Sequence, residues 1–243
     1  MSIKKRIRAS FKLVTALMLI VVLVQSCRVL TYKNQGTSKA IGTEGNGSLE
    51  NAWLMPYSGD NYRYFSTLSY YVLHNAFVHN KLHNTLLEAF ENCEISCPER
   101  KFRVMECANK HGGKMLIHRT HQTGLSVDLM TPMMKKGRPY TLTDHLGVWH
   151  YLLDYGNSGK WTKNIEVDFE TLGRLILAID DAAKQNGLKL SKVILKTDLK
   201  DEFYASKSGK QVKARGIYLA MVLPKMVNNL HDDHIHLDFK IVE

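Results

Sequence analysis

Residues 231–242 read HDDHIHLDFKIV. From residue 234 the side chains alternate strictly. Ile235, Leu237, Phe239 and Ile241 fall on one side, and His234, His236, Asp238 and Lys240 on the other. A period of two marks a β-strand with one face in a core. The pattern predicts a strand over 234–242, with two imidazoles projecting from its polar face because residues two apart point the same way. A second alternating stretch, residues 125–130 (LSVDLM), sets Leu125, Val127 and Leu129 against Ser126, Asp128 and Met130.

Working outward from these strands, an apolar period compatible with helix covers 67–92. It is clearest in residues 81–91, where Leu82, Leu86, Leu87 and Phe90 share a face. Residues 169–185 form a second helix (Leu172, Leu175, Ile176, Ile179, Ala183), stopped by Asn186-Gly187. Residues 101–105 and 192–196 read as short strands, 198–204 as helical, and 218–229 as a helix kinked or broken at Pro224. Strands and helices do not alternate regularly. That favours an α+β fold, an antiparallel sheet with flanking helices, over a doubly wound one.

The composition of 243 residues, 44% hydrophobic and 23% charged with 16 glycines and 5 prolines, is globular. It argues against a mainly disordered, collagen-like or polytopic membrane chain. The net charge of +10 suggests a nucleic-acid binder at first sight. Half of it comes from Lys4, Lys5, Arg6, Arg8 and Lys12, within a stretch of 26 residues that has no acid. The remaining excess contains no basic run, so no nucleic-acid partner is expected.

Those 26 residues read as an export signal. A basic region precedes residues 13–24 (LVTALMLIVVLV), an apolar run of signal-peptide length and short for a membrane span. Val24-Gln25-Ser26-Cys27 follows and resembles a bacterial lipobox, which would make Cys27 the lipid-bearing first mature residue. Residues 27–51 are rich in Gly, Ser, Thr and Asn and are expected to be a flexible tether. The domain is expected over 52–243, in the periplasm or cell envelope.

The chemistry concentrates in two segments, residues 118–128 (HRTHQTGLSVD) and the HDDHIH that opens the last strand. His121 precedes the strand bearing Asp128, and Gly124 lets the chain turn between them. If that strand neighbours the last one, His121, Asp128 and His236 converge. Two neutral imidazoles and a carboxylate suit zinc and leave a fourth position open.

Residues 118–128 resemble the H-x-S-H-Q-x-G-x-x-x-D segment of the penicillin-insensitive murein endopeptidases. These are zinc peptidases of the lysostaphin, D-Ala-D-Ala metallopeptidase and hedgehog superfamily. Residues 231–238 (HDDHIHLD) resemble that family's H-x-x-H-x-H and following strand. The similarity runs from about Leu82 to the C-terminus. It implies His121, Asp128 and His236 as zinc ligands, and His234 as general base or transition-state stabiliser. His231 becomes a neighbour that, if cationic, stabilises the oxyanion. His118 is implied close to the metal, in reach of a second site. The implied substrate is the peptidoglycan cross-link, cut at a D-alanyl bond. Thr120 departs from the family's Ser, residues 131–167 do not align, and the family's disulfides are not reproduced. A D-Ala-D-Ala carboxypeptidase and a non-catalytic murein-binding lipoprotein share these features and stand as alternatives.

Other signals point elsewhere. Cys93, Cys97, Cys107 and His111 have the spacing of a loose Cys3His site. In an exported chain, one disulfide among the three cysteines is the stronger expectation. No G-x-S-x-G or H-E-x-x-H occurs. His74, His79, His83, His145 and His150 read as solvated or packing residues, and Tyr62, Tyr64, Phe65, Tyr70 and Tyr71 as core. The lipobox reading predicts that a clickable fatty acid labels the chain in a bacterial host. Label undiminished in Cys27→Ser would refute it.

Overall fold

A computed structural model describes residues 3–115 and 118–242. Met1 and Ser2 of the expected signal, and Glu243 of the expected domain, lie outside the described residues. The chain runs α1 (Ile3–Leu30), β1 (Lys39–Thr43), β2 (Asn46–Glu50), β3 (Trp53–Leu54), β4 (Tyr62–Tyr64), β5 (Phe77–Val78), α2 (Asn80–Ser96) and β6 (Phe102–Val104). It continues through β7 (Ser126–Met130), β8 (Met133–Lys135), β9 (Arg138–Tyr140), β10 (Lys160–Thr162), β11 (Ile165–Val167) and α3 (Phe169–Gln185). The last elements are β12 (Leu188–Ile194), α4 (Lys200–Ala205), α5 (Lys207–Ala214), α6 (Lys225–Asn229) and β13 (His234–Ile241). The fold is α+β.

The central sheet has the order β12-β13-β7-β6-β4 and is antiparallel except for the β4–β6 pair. The two alternating strands are therefore neighbours at its centre. Ile235, Leu237 and Phe239 of β13 and Val127 and Leu129 of β7 share one core with Leu82, Leu86 and Phe90 of α2 and Leu172, Leu175, Ile176 and Ile179 of α3. Burying this face against two amphipathic helices commits the opposite face of both strands to the polar residues. Helix α3 starts where Asp168 Oδ1 accepts the Thr171 N–H at 3.0 Å, and it stops at Gly187, whose φ is +66°. The aromatic set lies in or against the core, as expected.

Three segments differ from the sequence reading. Residues 67–92 are not one helix. A π-helical turn, Ser69–Leu73, ends at His74 (φ +61°), and the chain extends through β5 before α2 begins. Pairing across Phe77 N–H to Ala108 O, 3.0 Å, and Cys107 N–H to Asn75 O, 2.8 Å, overrides the apolar period there. Residues 218–223 are not helical either. Val193 and Ala220 exchange bonds with this stretch (Val193 N–H to Tyr218 O, 2.9 Å; Ala220 N–H to Val193 O, 2.8 Å), and helix forms only after Pro224. Strand β12 begins at Leu188 because Leu188 and Leu190 pair with Ile241 and Phe239.

The expected tether also needs correction, because residues 39–50 form the β1–β2 hairpin. Its Leu49 is 1% exposed and packs in a small core with Ala52, Phe77 and Ala108. The expected disulfide is absent: all four cysteines are free, with Cys93, Cys97 and Cys107 buried as small core residues. His111 is exposed, so the loose Cys3His spacing does not gather into a site. In α1, Ser10–Leu30 is long and apolar enough to cross a membrane, a test that a signal sequence also passes. Leu49→Ala should therefore cost about 2–5 kcal/mol, the range for emptying a packed leucine site. Urea denaturation measures it, and a cost under about 0.5 kcal/mol, usual for surface changes, would restore the tether reading.

Candidate metal centre

Strands β13 and β7 pair in a register that sets His236 directly opposite Asp128. His236 Nδ1 lies 2.7 Å from Asp128 Oδ1. His121 comes from the loop before β7, at φ +72°, a left-handed conformation uncommon for a non-glycine residue. That turn aims Nε2 at Asp128 Oδ2, 3.2 Å away, and His118 Nδ1 lies 3.5 Å from the same oxygen. Gly124 (φ +70°) makes the second turn, where a Cβ would meet Leu49 Cδ2 at 2.5 Å and His79 N at 2.9 Å.

The hairpin holds this loop in place. Gln122 Nε2 donates to Gly45 O at 2.8 Å, Gln122 Oε1 accepts from Gly47 N–H at 3.2 Å, and Gln122 N–H donates to Glu44 O at 3.1 Å. The glutamine that follows His121 is thus a clamp between the site loop and the β1–β2 turn.

The donor set fits a metal on two observations. His118, His121 and Asp128 each offer an atom within 4.8 Å of the others. Both ring nitrogens of His121 are buried without a hydrogen-bond partner, although Nε2 is 3.2 Å from a carboxylate oxygen. An imidazole and a carboxylate this close, with the ring nitrogens otherwise without partners among the described residues, offer a metal ion two donors. Their spacing matches the edge of a tetrahedron built on bonds of about 2.0–2.1 Å, roughly 3.3 Å. Together with His236, the residues present suit zinc.

Behind the donors stands a second layer. His236 Nε2 lies 2.7 Å from Asp238 Oδ1, and Asp238 also takes Ser126 Oγ at 2.6 Å and Lys192 Nζ at 2.7 Å. An Nε2–H donated to Asp238 leaves Nδ1 facing the centre. Burial pushes the His236 imidazolium down, but Asp238 and Asp128 more than offset it and raise its pKa to about 10. Asp128 is held well below the usual carboxylate range, because His121 and His236 outweigh the cost of its burial.

The other two histidines of the last motif divide. Burial lowers His231 to about 4, and its Nδ1 sits 2.6 Å from Val227 O. Burial also opposes the charge on His234. Asp233, whose Oδ1 is 2.6 Å from His234 Nδ1, outweighs it and lifts the pKa above the ordinary value. The two rings are 4.8 Å apart. Burial lowers His118 to about 4 as well. All six residues singled out in the sequence, His118, His121, Asp128, His231, His234 and His236, thus lie in one cluster.

Sequence reasoning did not single out Asp238, Asp233, Tyr151 or Glu106. Asp238 was visible in principle, as the next polar-face position after His236. Tyr151 packs edge-on to His234 at 5.9 Å. Glu106 is buried beside Asp128 (Asp128 N–H to Glu106 O, 2.8 Å), and burial raises its carboxyl to about 8. No sequence pattern marks it. His79 and His83 are packing residues, as expected. His79 caps α2 by accepting the Lys81 N–H at 3.2 Å, and His83 lies edge-on to Trp53.

Compared with known families, residues 40–241 match the penicillin-insensitive murein endopeptidases. The chain belongs to that family. It is a peptidase of the murein-cleaving kind, and the match spans the hairpin, the central sheet and both histidine segments. A search of the curated proteins found no match. An envelope location fits a murein-acting enzyme with an apolar N-terminal helix.

Asp238→Ala should weaken zinc binding by about 10- to 100-fold, the usual effect of removing a carboxylate behind a ligand histidine. Asp238→Asn, which still accepts a hydrogen bond, should recover part of it. Competition against a chromophoric chelator measures both. Unchanged affinity in Asp238→Ala would remove the orienting role.

Proposed function

We propose that this chain is a zinc-dependent endopeptidase that hydrolyses D-alanyl cross-bridge peptide bonds of peptidoglycan. The observation that supports the reading is that His121, His236 and His118 all lie against the one buried carboxylate of Asp128, at 3.2, 2.7 and 3.5 Å, with His118, His121 and Asp128 offering donor atoms within 4.8 Å of one another. His121, Asp128 and His236 would hold the metal, with His118 beside them as donor to a further ion. Zinc, when bound, supplies a Lewis acid for the scissile carbonyl and makes a water acidic at its open position.

The protein's own groups supply the rest. A pair of titratable residues pushed in opposite directions separates acid from base. His231 stays neutral at physiological pH. With Nδ1–H turned to Val227 O, it keeps a lone pair on Nε2 to receive a proton. At His234 the Asp233 carboxylate favours the protonated ring and fixes it through Nδ1, leaving Nε2–H to donate to the developing oxyanion. Of the two roles the sequence left to His234, general base or transition-state stabiliser, this reading takes the second and gives the base to His231, on the burial of His231 and the Asp233 carboxylate at His234.

The export signal and acylation of Cys27 belong to the same proposal: a lipid anchor would hold the enzyme at the membrane facing its insoluble substrate. Cys27 is exposed, which suits modification.

The test is digestion of purified muropeptide dimers, read by mass spectrometry. Dimers should become monomers. Penicillin should have no effect, because no nucleophilic serine is involved. A chelator should stop cleavage and zinc should restore it. His234→Ala should lower kcat by about 10², the scale of losing an acid–base group. Cleavage that survives rigorous metal removal would overturn the zinc reading. Release of D-alanine alone would replace the endopeptidase with a carboxypeptidase.

A further inference from the structure

A cleft of about 470 Å³ lies beside the centre, lined among others by Tyr57, Arg63, Phe65, Arg103, His145 and Trp149. It is tied to the site by two ring contacts. Phe65 packs edge-on to Tyr151 at 5.7 Å, and Tyr151 to His234 at 5.9 Å. Phe65 is therefore no more than about 12 Å from His234, the span of three or four extended residues at about 3.3–3.6 Å each.

The charges around this cleft do not balance. Arg100 and Arg103 both act on one carboxylate, Asp144, and Arg63 lines the same cleft. Arg100 occupies that carboxylate with two bonds, at 3.0 and 3.2 Å. Arg103 is 4% exposed, yet its hydrogen bonds among the described residues go only to backbone carbonyls: Asp144 O at 3.2 Å, and Lys101 O and Phe102 O at 3.4 Å each. A buried cation whose charge is answered only at a distance by Asp144, a carboxylate already bonded to Arg100, is costly, and an arriving anion relieves that cost. Arg63 is exposed at the rim. Among the described residues its guanidinium has no ion pair; it lies 3.5 Å from the Tyr57 hydroxyl and 5.2 Å from the centre of that ring. Trp149, 68% exposed, offers an apolar wall beside it.

We propose that this cleft is a subsite for a free carboxylate of the murein stem peptide, with Arg63 and Arg103 as the cationic pair and Trp149 packing on the peptide. The proposal rests on the murein reading above. Guanidinium forks suit a planar carboxylate. A stem peptide carries its glutamyl α-carboxylate a few residues from the D-alanyl bond, and the wall of the cleft at Phe65 lies within that order of reach of His234. The cleft is built jointly from residues 63–68, Arg103 and the stretch 144–149.

The test is calorimetric binding of two stem tetrapeptides to the zinc-loaded full chain, one with the glutamyl α-carboxylate free and one with it amidated. The amide should bind wild type about tenfold or more weakly, the scale of losing a hydrogen bond to a charged group. Arg63→Gln should weaken the acid by a similar factor and leave the amide unchanged. Trp149→Ala should weaken both alike. Equal binding of acid and amide to wild type, equal losses for both in Arg63→Gln, or no binding of either peptide would overturn the subsite. Selective binding of the acid by a chain that fails to cleave dimers would keep the subsite and remove the endopeptidase reading. Cleavage of dimers with no preference for the carboxylate would do the reverse.

Discussion

The pairing of β13 with β7 is the constraint on which the rest depends. Its register puts His236 opposite Asp128 and Ser126 opposite Asp238. A slip of one residue in β13 would turn His234 and His236 into the helix-packed core, away from Asp128, and their apolar neighbours out. The apolar face of the two strands, buried under α2 and α3, therefore protects the site register. Core packing and site assembly are one energetic problem in this fold.

Two supports finish what the register begins. On one side, the β1–β2 hairpin clasps the His121 loop through Gln122, which allows His121 to keep its left-handed backbone with both ring nitrogens unbonded. On the other, Asp238 and Asp233 each take one nitrogen of a histidine and leave the second facing the centre. Ser126 and Lys192 hold Asp238 from outside. Local strain and buried charge are thus concentrated where the chemistry is, and a rigid sheet carries them.

Where periodicity and packing agree, the sequence was readable. Strands β7 and β13 and helix α3 with its Asn186-Gly187 stop follow from alternation and helical spacing; the nearness of His121, Asp128 and His236 follows from the two strands, while His118, His231 and His234 entered through the family resemblance. The errors came from long-range pairing. Residues 74–78 carry a helical apolar period, yet they extend to pair with residues 107–108, over thirty positions away in the chain. Residues 218–220 do the same against Val193. The hairpin was hidden because Gly, Ser, Thr and Asn are also the residues of a tether; Leu49 is the one buried side chain of its two strands, and one leucine makes no period. Acid–base roles could not be read from spacing at all. His231 and His234 differ in which group each Nδ1 faces, a carbonyl or a carboxylate, and that emerges only from the fold.

Convergence of His121, Asp128 and His236 on one ion is the central claim. It is tested most directly by metal content, measured by mass spectrometry on the purified chain after dialysis against a weak chelator. Wild type and His234→Ala should each retain close to one zinc, with more if His118 supports another ion. His121→Ala, Asp128→Ala and His236→Ala should each lose it while remaining folded by circular dichroism. Full zinc in a folded His236→Ala protein, or loss of zinc in His234→Ala alone, would contradict the account.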